Sequence, residues 1–225
     1  TLPTIEKIAT AYIEELRSIQ SEGPYQLGGF CNGGLLAYEI ATQLSEVGQQ
    51  VDLLALIMPS ESSSTNKLPG IISHIGQLFR MQAYTQANWY LRTRHALRHL
   101  YRYLRPGDNK LQDFTKLLDI DARLSTMFPP RKALYNDYIG VFSWLVNAYR
   151  PRPYPGKITL YWATEEPFIK ETWCQVPVVK VKKDLEHHFL PGTHMSCVTD
   201  HTQVLAELLS NHLHQIRGEA MGELA

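Results

Sequence analysis

Hydrophobic positions follow two kinds of pattern along the first part of the chain. Apolar residues recur at helical spacing over residues 4–20 and 33–47, where Thr4 can cap the first segment and Gly48 can end the second. Residues 25–30 are instead a short apolar segment bounded by glycines, as a buried strand would be, and residues 51–58 are an almost continuous apolar run, as expected for a central parallel strand. The pattern predicts the order helix, strand, helix, strand.

The middle and the end of the chain have a different character. After a serine-rich stretch at 59–69, residues 71–105 and 111–150 are mostly helical in pattern, with breaks at Pro106-Gly107 and Pro129-Pro130. Strand patterns follow at 158–163 and, as an edge strand, at 178–181, and an amphipathic helix closes the chain at 200–214. This order predicts an α/β fold with a mostly parallel sheet. We expect one domain over 1–225, with residues 60–148 as a helical lid inserted over the carboxyl edge of the sheet.

Composition excludes several classes of function. The 225 residues include 22 Lys and Arg and 22 Asp and Glu, so the basic excess typical of nucleic-acid binding is absent. No apolar run is long enough to cross a bilayer, and the chain does not open on a signal peptide. Three irregularly spaced cysteines suggest neither a disulfide framework nor a metal site. We therefore expect a cytoplasmic domain with no nucleic-acid, membrane or metal partner.

One local charge cluster qualifies that picture. Residues 92–105 contain five arginines at spacings compatible with one helix. We interpret them as a solvated helix face. The alternative is a docking patch for an acidic carrier protein or a phosphate-bearing arm.

The segment Gly29-Phe30-Cys31-Asn32-Gly33 has the form G-x-C-x-G between a predicted strand and a predicted helix. A sharp strand-to-helix turn strains the backbone of a nucleophile, so the residues two positions away on either side must be small. The helix N-terminus is expected to lower the pKa of the Cys31 thiol, and the backbone N–H of Asn32 can form half of an oxyanion hole. The alternative is a buried, inert cysteine at a glycine-rich turn.

Residues 21–41, which surround this motif, resemble the nucleophile region of the thioesterase domains that end non-ribosomal peptide and polyketide synthases, in the α/β-hydrolase superfamily. Residues 149–161 and 190–196 resemble two further blocks of that family, in the same order. The resemblance implies a triad with Cys31 in the place usually held by serine and His194 as the general base. It implies no cofactor, because the substrate arrives on the phosphopantetheine of an acyl or peptidyl carrier protein.

The triad acid is where the sequence departs from the family. Many members carry an aspartate at the end of the strand after the nucleophile's helix, a position held here by Met58. Glu166 is the preferred substitute, Glu165 the second and Glu61 the third, with ordinary loop carboxylates as the alternative. The family also usually has strands before this chain's first helix, which supply a second oxyanion donor. We expect those N-terminal strands to be missing from this chain, which is then either a fragment or a domain that lacks them.

The expected function is release of an acyl or peptidyl chain through an acyl-Cys31 intermediate, by cyclisation or hydrolysis. A thioester intermediate keeps more acyl-transfer potential than an oxoester, which favours closure to a lactone, lactam or macrocycle. Two alternatives stay open: an editing hydrolase that clears stalled acyl groups, and a non-catalytic docking domain that retains the fold. An ester or lipid hydrolase is a weaker third alternative.

Overall fold

The computed structural model describes residues 2–59, 67–104, 128–165 and 185–222. The elements in chain order are α1 (Ile5–Ile19), β1 (Tyr25–Phe30), α2 (Asn32–Glu46), β2 (Val51–Ile57), α3 (Leu68–Leu78), α4 (Ala83–Leu104), α5 (Arg131–Leu134), α6 (Tyr138–Ala148), β3 (Ile158–Ala163), β4 (Leu185–Leu190), α7 (Ser196–Thr199) and α8 (Thr202–Gly222). The strands and helices predicted over residues 4–58 are confirmed, as is the strand at 158–163. Thr4 caps α1 by accepting the Lys7 N–H at 3.3 Å.

The C-terminal third differs from the prediction in two places. β4 has the sequence LEHHFL and was not predicted, because a half-exposed strand with two histidines has no apolar run. The closing helix α8 continues to Gly222, beyond the predicted end at residue 214. The predicted edge strand at 178–181 lies outside the described residues.

The four described strands form one parallel sheet in the order β1-β2-β3-β4. The register places Phe30 beside Ile57, Ile57 beside Tyr161 and Ala163 beside Leu190. Because all four strands run the same way, the residues that follow them share one edge of the sheet. In open parallel sheets, binding sites lie outside this carboxyl edge.

The core explains why β2 and β3 are largely apolar. All six residues of β3 are buried, and the middle of β2 is buried with them. A parallel strand covered on both faces has no solvent face on which polar residues could alternate. From α2, Ala37, Tyr38 and Ala41 pack into the same core.

A buried carboxylate on α2 fastens residues 149–161 to the sheet unit. Glu39 is completely buried; the Tyr149 hydroxyl donates to its Oε2 at 2.6 Å and the Arg152 guanidinium to its Oε1 at 2.8 Å. The Tyr38 hydroxyl in turn donates to the Arg152 carbonyl at 2.5 Å. A buried carboxylate requires such partners. One of the three blocks that resemble the family is therefore fixed to the helix that follows the G-x-C-x-G motif.

The chain packs as two compact units, Thr4–Ser62 with Tyr149–Ala225, and Thr1–Pro3 with Ser63–Ala148. The first unit contains the sheet. The second has its own small core, formed by Ile72, Tyr90, Leu91, Ala133 and Leu134. The lid role predicted for residues 60–148 stays a prediction.

The sequence analysis interpreted the arginines of residues 92–105 as a solvated helix face, and this is wrong for two of them. Arg94 and Arg98 lie 3.5 and 3.2 Å from Oδ2 of Asp137, and all three side chains are largely shielded from solvent. Two of the five arginines of residues 92–105 therefore neutralise a buried carboxylate inside their own unit. No helix of the described residues is long and apolar enough to cross a bilayer.

Candidate active site

Each of the four strands is followed at its carboxyl end by a residue considered in the sequence analysis. Cys31 follows β1, Met58 follows β2, Glu165 follows β3 and His194 stands on the loop after β4. The sheet therefore brings the ends of these strands to one edge, although the residues are far apart in sequence.

Cys31 has the backbone of a nucleophile turn. Its φ of 53° and ψ of −120° lie in a region that non-glycine residues rarely adopt. The Cys31 N–H donates to the Ile57 carbonyl at 2.9 Å, and the Cys31 carbonyl accepts the Gly34 N–H at 3.0 Å. These bonds hold the strained residue between β1 and α2. Such strain persists only where the surrounding structure over-determines it, and it concentrates at functional sites.

The two glycines of the motif do not have the same role, contrary to the prediction. A Cβ at Gly29 would overlap the carbonyl of Gly33 and lie 2.6 Å from the Gly34 nitrogen, so only glycine fits there. A Cβ at Gly33 would meet nothing within 4 Å. Gly34 is the second constrained position, because a Cβ there would lie 2.9 Å from the Pro59 Cβ. The prediction was correct for Gly29 and wrong for Gly33.

His194 lies beside this turn. Its ring packs against the ring of Phe30, the neighbour of Cys31, with 5.0 Å between centroids and a 39° tilt. The loop that carries it leaves β4 through Gly192, whose φ of 89° favours glycine. The Cys197 thiol, at the start of α7, donates to the His194 carbonyl at 3.3 Å. The loop and α7 thus hold the histidine next to the residue that precedes the thiol.

Comparison with known proteins decides the family. The family model described as "Thioesterase domain" matches residues 1–213. The chain belongs to the thioesterase domain family. The predicted α/β-hydrolase fold and hydrolase class are thereby confirmed.

Individual relatives agree with this assignment. Among curated proteins, the non-reducing polyketide synthase terA of Aspergillus terreus is 43% identical over 70 residues, which are 31% of this chain and 3% of terA. The polyketide synthase PksR of Bacillus subtilis is 44% identical over 63 residues, 28% of this chain and 2% of PksR. The chain thus matches a very small part of these multidomain synthases.

Solved structures give the same result at the level of the fold. The four-domain nonribosomal peptide synthetase AB3403 is 27% identical with a TM-score of 0.57, over 92% of this chain and 16% of that one. The NocB thioesterase domain of a nocardicin cluster is 18% identical with a TM-score of 0.56, over 95% of this chain and 76% of that one.

The pKa of the Cys31 thiol is shifted in the direction opposite to the one predicted from the sequence. Burial raises the pKa of Cys31 above its ordinary value, and the backbone N–H of Asn32 offsets only part of this effect. The predicted lowering of the Cys31 pKa was wrong in its net direction, because desolvation outweighs the hydrogen bond from the Asn32 N–H. Because the ordinary thiol pKa already lies above 7, this burial favours the protonated thiol at neutral pH.

The acid position is only partly described. Glu165 is exposed, and its backbone N–H donates to the Gly192 carbonyl at 3.0 Å, which ties the end of β3 to the loop of His194. Glu166 and Glu61, the first and third candidates, lie outside the described residues. At the end of β2, Met58 is buried with a φ of 42°, and its Sδ accepts the Ala163 N–H at 2.9 Å.

The sequence analysis did not find one further group of polar side chains. Glu186 and His188 on β4 meet His212 of α8, with both histidine rings at hydrogen-bond distance from one carboxylate oxygen. The hydrogen bond from Lys157 is the main reason why the pKa of the Glu186 carboxyl is lowered to about 2. The signal was a Glu-x-His pair at strand spacing, which is readable only once β4 is known to be a strand.

Proposed function

We propose that this thioesterase domain releases an acyl or peptidyl chain from the phosphopantetheine of a carrier protein through an acyl-Cys31 intermediate. The observation that carries the proposal is the strained backbone of Cys31 at the β1–α2 junction, with the His194 ring packed on the adjacent Phe30. A carrier-protein partner is supported by the relatives, which are multidomain polyketide synthases and a peptide synthetase.

In the first half-reaction, His194 removes the thiol proton and Cys31 Sγ attacks the thioester carbonyl. The tetrahedral oxyanion accepts a hydrogen bond from the Asn32 N–H. When the intermediate collapses, the bond to the phosphopantetheine sulfur breaks, and the proton on His194 passes to that sulfur. The raised pKa of Cys31 favours this proton transfer over a preformed thiolate–imidazolium pair.

In the second half-reaction, His194 takes the proton of the nucleophile that attacks the acyl carbon, the bond from that carbon to Cys31 Sγ breaks, and the proton on His194 passes to Sγ. Water gives a free acid, whereas an amine or hydroxyl within the chain gives a lactam or lactone. One thioester is exchanged for another in the first half-reaction, so little acyl-transfer potential is lost before the second. We therefore propose cyclisation as the outcome with the native substrate. Glu166 is the proposed orienting acid, with Glu165 next and Glu61 third.

A second candidate is an editing hydrolase, because a type II thioesterase is among the proteins that share this fold. The type II thioesterase BorB of the borrelidin cluster shares the fold with a TM-score of 0.55 at 15% identity, over 95% of this chain and 72% of that one. An editing enzyme acts on many short acyl thioesters and yields acids. A cyclase is selective and yields a ring.

The test is intact-protein mass after brief exposure to acyl-pantetheine thioesters. The native domain should gain one acyl group, and Cys31→Ala should gain none, whereas Cys197→Ala should still be acylated because that thiol is buried and bonded to a carbonyl. His194→Ala should acylate about 10²–10⁴-fold more slowly, the usual contribution of a general base. The exposed His214 supplies the matched control His214→Ala. An adduct that survives in Cys31→Ala would refute the intermediate, and equal rates in the two histidine variants would refute the base.

A further inference from the structure

We propose that Glu186, His188 and His212 form a binding site for a divalent transition metal, with Zn²⁺ as the favoured ion. The site uses none of the residues of the proposed acyl-transfer chemistry. Its three ligand atoms, a carboxylate oxygen and two imidazole nitrogens, lie within 4.8 Å of one another. A carboxylate with two imidazoles is a donor set that suits zinc, with the fourth position left to water.

The spacing of the atoms suits a small ion. Oε1 of Glu186 lies 3.0 Å from Nε2 of His188 and 3.1 Å from Nε2 of His212. Two ligands of a tetrahedral zinc, each about 2.0–2.1 Å from the metal, are about 3.3 Å apart. The two oxygen–nitrogen spacings are therefore close to those of a coordinated ion, whereas the two imidazole nitrogens, which lie within 4.8 Å of each other, have to approach to about 3.3 Å.

The strand β4 and the helix α8, both in the sheet unit, supply the three ligands. Glu186 and His188 are two residues apart on β4 and so project from the same face, whereas His187 between them projects from the other. His212 is buried on α8. An ion here would cross-link β4 to α8.

A second layer of contacts orients the two imidazoles. The Tyr161 hydroxyl, from β3, lies 2.9 Å from Nδ1 of His212, which leaves Nε2 of that ring facing Glu186. The Tyr161 ring also stacks on His188, with 5.3 Å between centroids. Metal-binding histidines characteristically have their second nitrogen hydrogen-bonded in this way. When a metal takes Nε2, the proton of the neutral ring moves to Nδ1, which can then donate to the Tyr161 oxygen.

Lys157 is the feature that opposes a cation. Its Nζ lies 2.8 Å from Oε2 of Glu186, so one carboxylate oxygen is already paired and the coordination through Oε1 would be monodentate. The same contacts are also compatible with a metal-free latch, by which we mean a hydrogen-bonded cluster in which the Nε2–H groups of His188 and His212 both donate to Oε1 of Glu186. The two states differ in one measurable respect, since only the first requires an ion.

The experiment is a Co²⁺ titration of the full chain, followed by absorbance and then by competition with Zn²⁺. The native protein should bind one Co²⁺ and show visible d–d bands without the near-ultraviolet band of a cobalt–thiolate bond, which separates this site from Cys31. His188→Ala should lose the bands. His187→Ala, the neighbour on the opposite face of the same strand, should keep them.

Two further variants make the test independent of folding. Tyr161→Phe removes only the hydroxyl that contacts Nδ1 of His212. It should weaken Co²⁺ binding about 10–100-fold, as loss of a hydrogen-bond partner of a metal ligand does. His212→Ala should lose the rise in Tm that Zn²⁺ gives the native protein, whatever its own starting Tm. Absence of binding by the native chain, or equal binding by His188→Ala and His187→Ala, would overturn the proposal in favour of the metal-free latch.

Discussion

Substitution of the first motif glycine gives the sharpest test of the nucleophile turn. An alanine Cβ at Gly29 would overlap the carbonyl of Gly33 and lie 2.6 Å from the nitrogen of Gly34. These atoms are backbone at the start of α2 and cannot rotate away, so β1 and α2 would have to separate. We expect Gly29→Ala to lower the free energy of unfolding by about 3 kcal/mol, the upper part of the range for overpacked sites.

The other motif glycine is the matched control. Gly33 has open space around its Cβ position and lies in the first turn of α2, where alanine is the better helix former. Gly33→Ala should be neutral or stabilising by up to about 1 kcal/mol. Urea denaturation followed by circular dichroism measures both variants. A cost for Gly29→Ala below about 1 kcal/mol, or similar costs for the two variants, would contradict the overlap argument, which rests on overpacking alone.

Two other predictions concern charge and protonation. Tyr149→Phe removes the hydroxyl that donates to the buried carboxylate of Glu39 and should lower the free energy of unfolding by about 1.5–3 kcal/mol. The control Tyr25→Phe breaks a neutral hydrogen bond to a carbonyl and should lower it by about 0.5–1.5 kcal/mol. Equal losses of unfolding free energy, measured by urea denaturation, would contradict the charge-assisted bond. The raised pKa of Cys31 predicts that its alkylation by iodoacetamide is slow at pH 7 and accelerates as pH rises through and beyond the ordinary thiol range. A rate that is already maximal at neutral pH would mean that a thiolate is present in the resting domain.

The parts of the fold that could be predicted are those in which one physical requirement dominates the sequence. The strands β2 and β3 are largely apolar because their buried residues are covered on both faces, and α1 and α2 have apolar residues at helical spacing. The nucleophile turn was predictable for a related reason. Gly29 is required by a backbone overlap, and an overlap of this kind leaves a fixed residue type at a fixed spacing.

The parts that could not be predicted depend on the balance between competing effects or on tertiary contact. The pKa of Cys31 depends on how deeply the turn is buried, which the motif does not encode, so the helix N-terminus alone gave the wrong direction. The requirement at Gly34 comes from Pro59, a residue 25 positions further along the chain. Likewise, Glu186 and His188 meet His212 only because β4 pairs with β3 and α8 packs on the sheet.

Cys31 at the end of β1 and Met58 at the end of β2 both affect how much help the histidine of a catalytic triad needs from an acid. In a serine enzyme an acid must orient and charge-stabilise the histidine, because a hydroxyl is hard to deprotonate. Here the end of β2 holds Met58, a buried side chain that accepts a backbone N–H and cannot orient an imidazole. A thiol needs less help than a hydroxyl, even with the pKa raised by burial. Under the proposed mechanism, Cys31 and Met58 are therefore compatible: a thiol nucleophile reduces the demand on the acid. A carboxylate that assists His194 would then come from another element, for which the end of β3 is the proposed source.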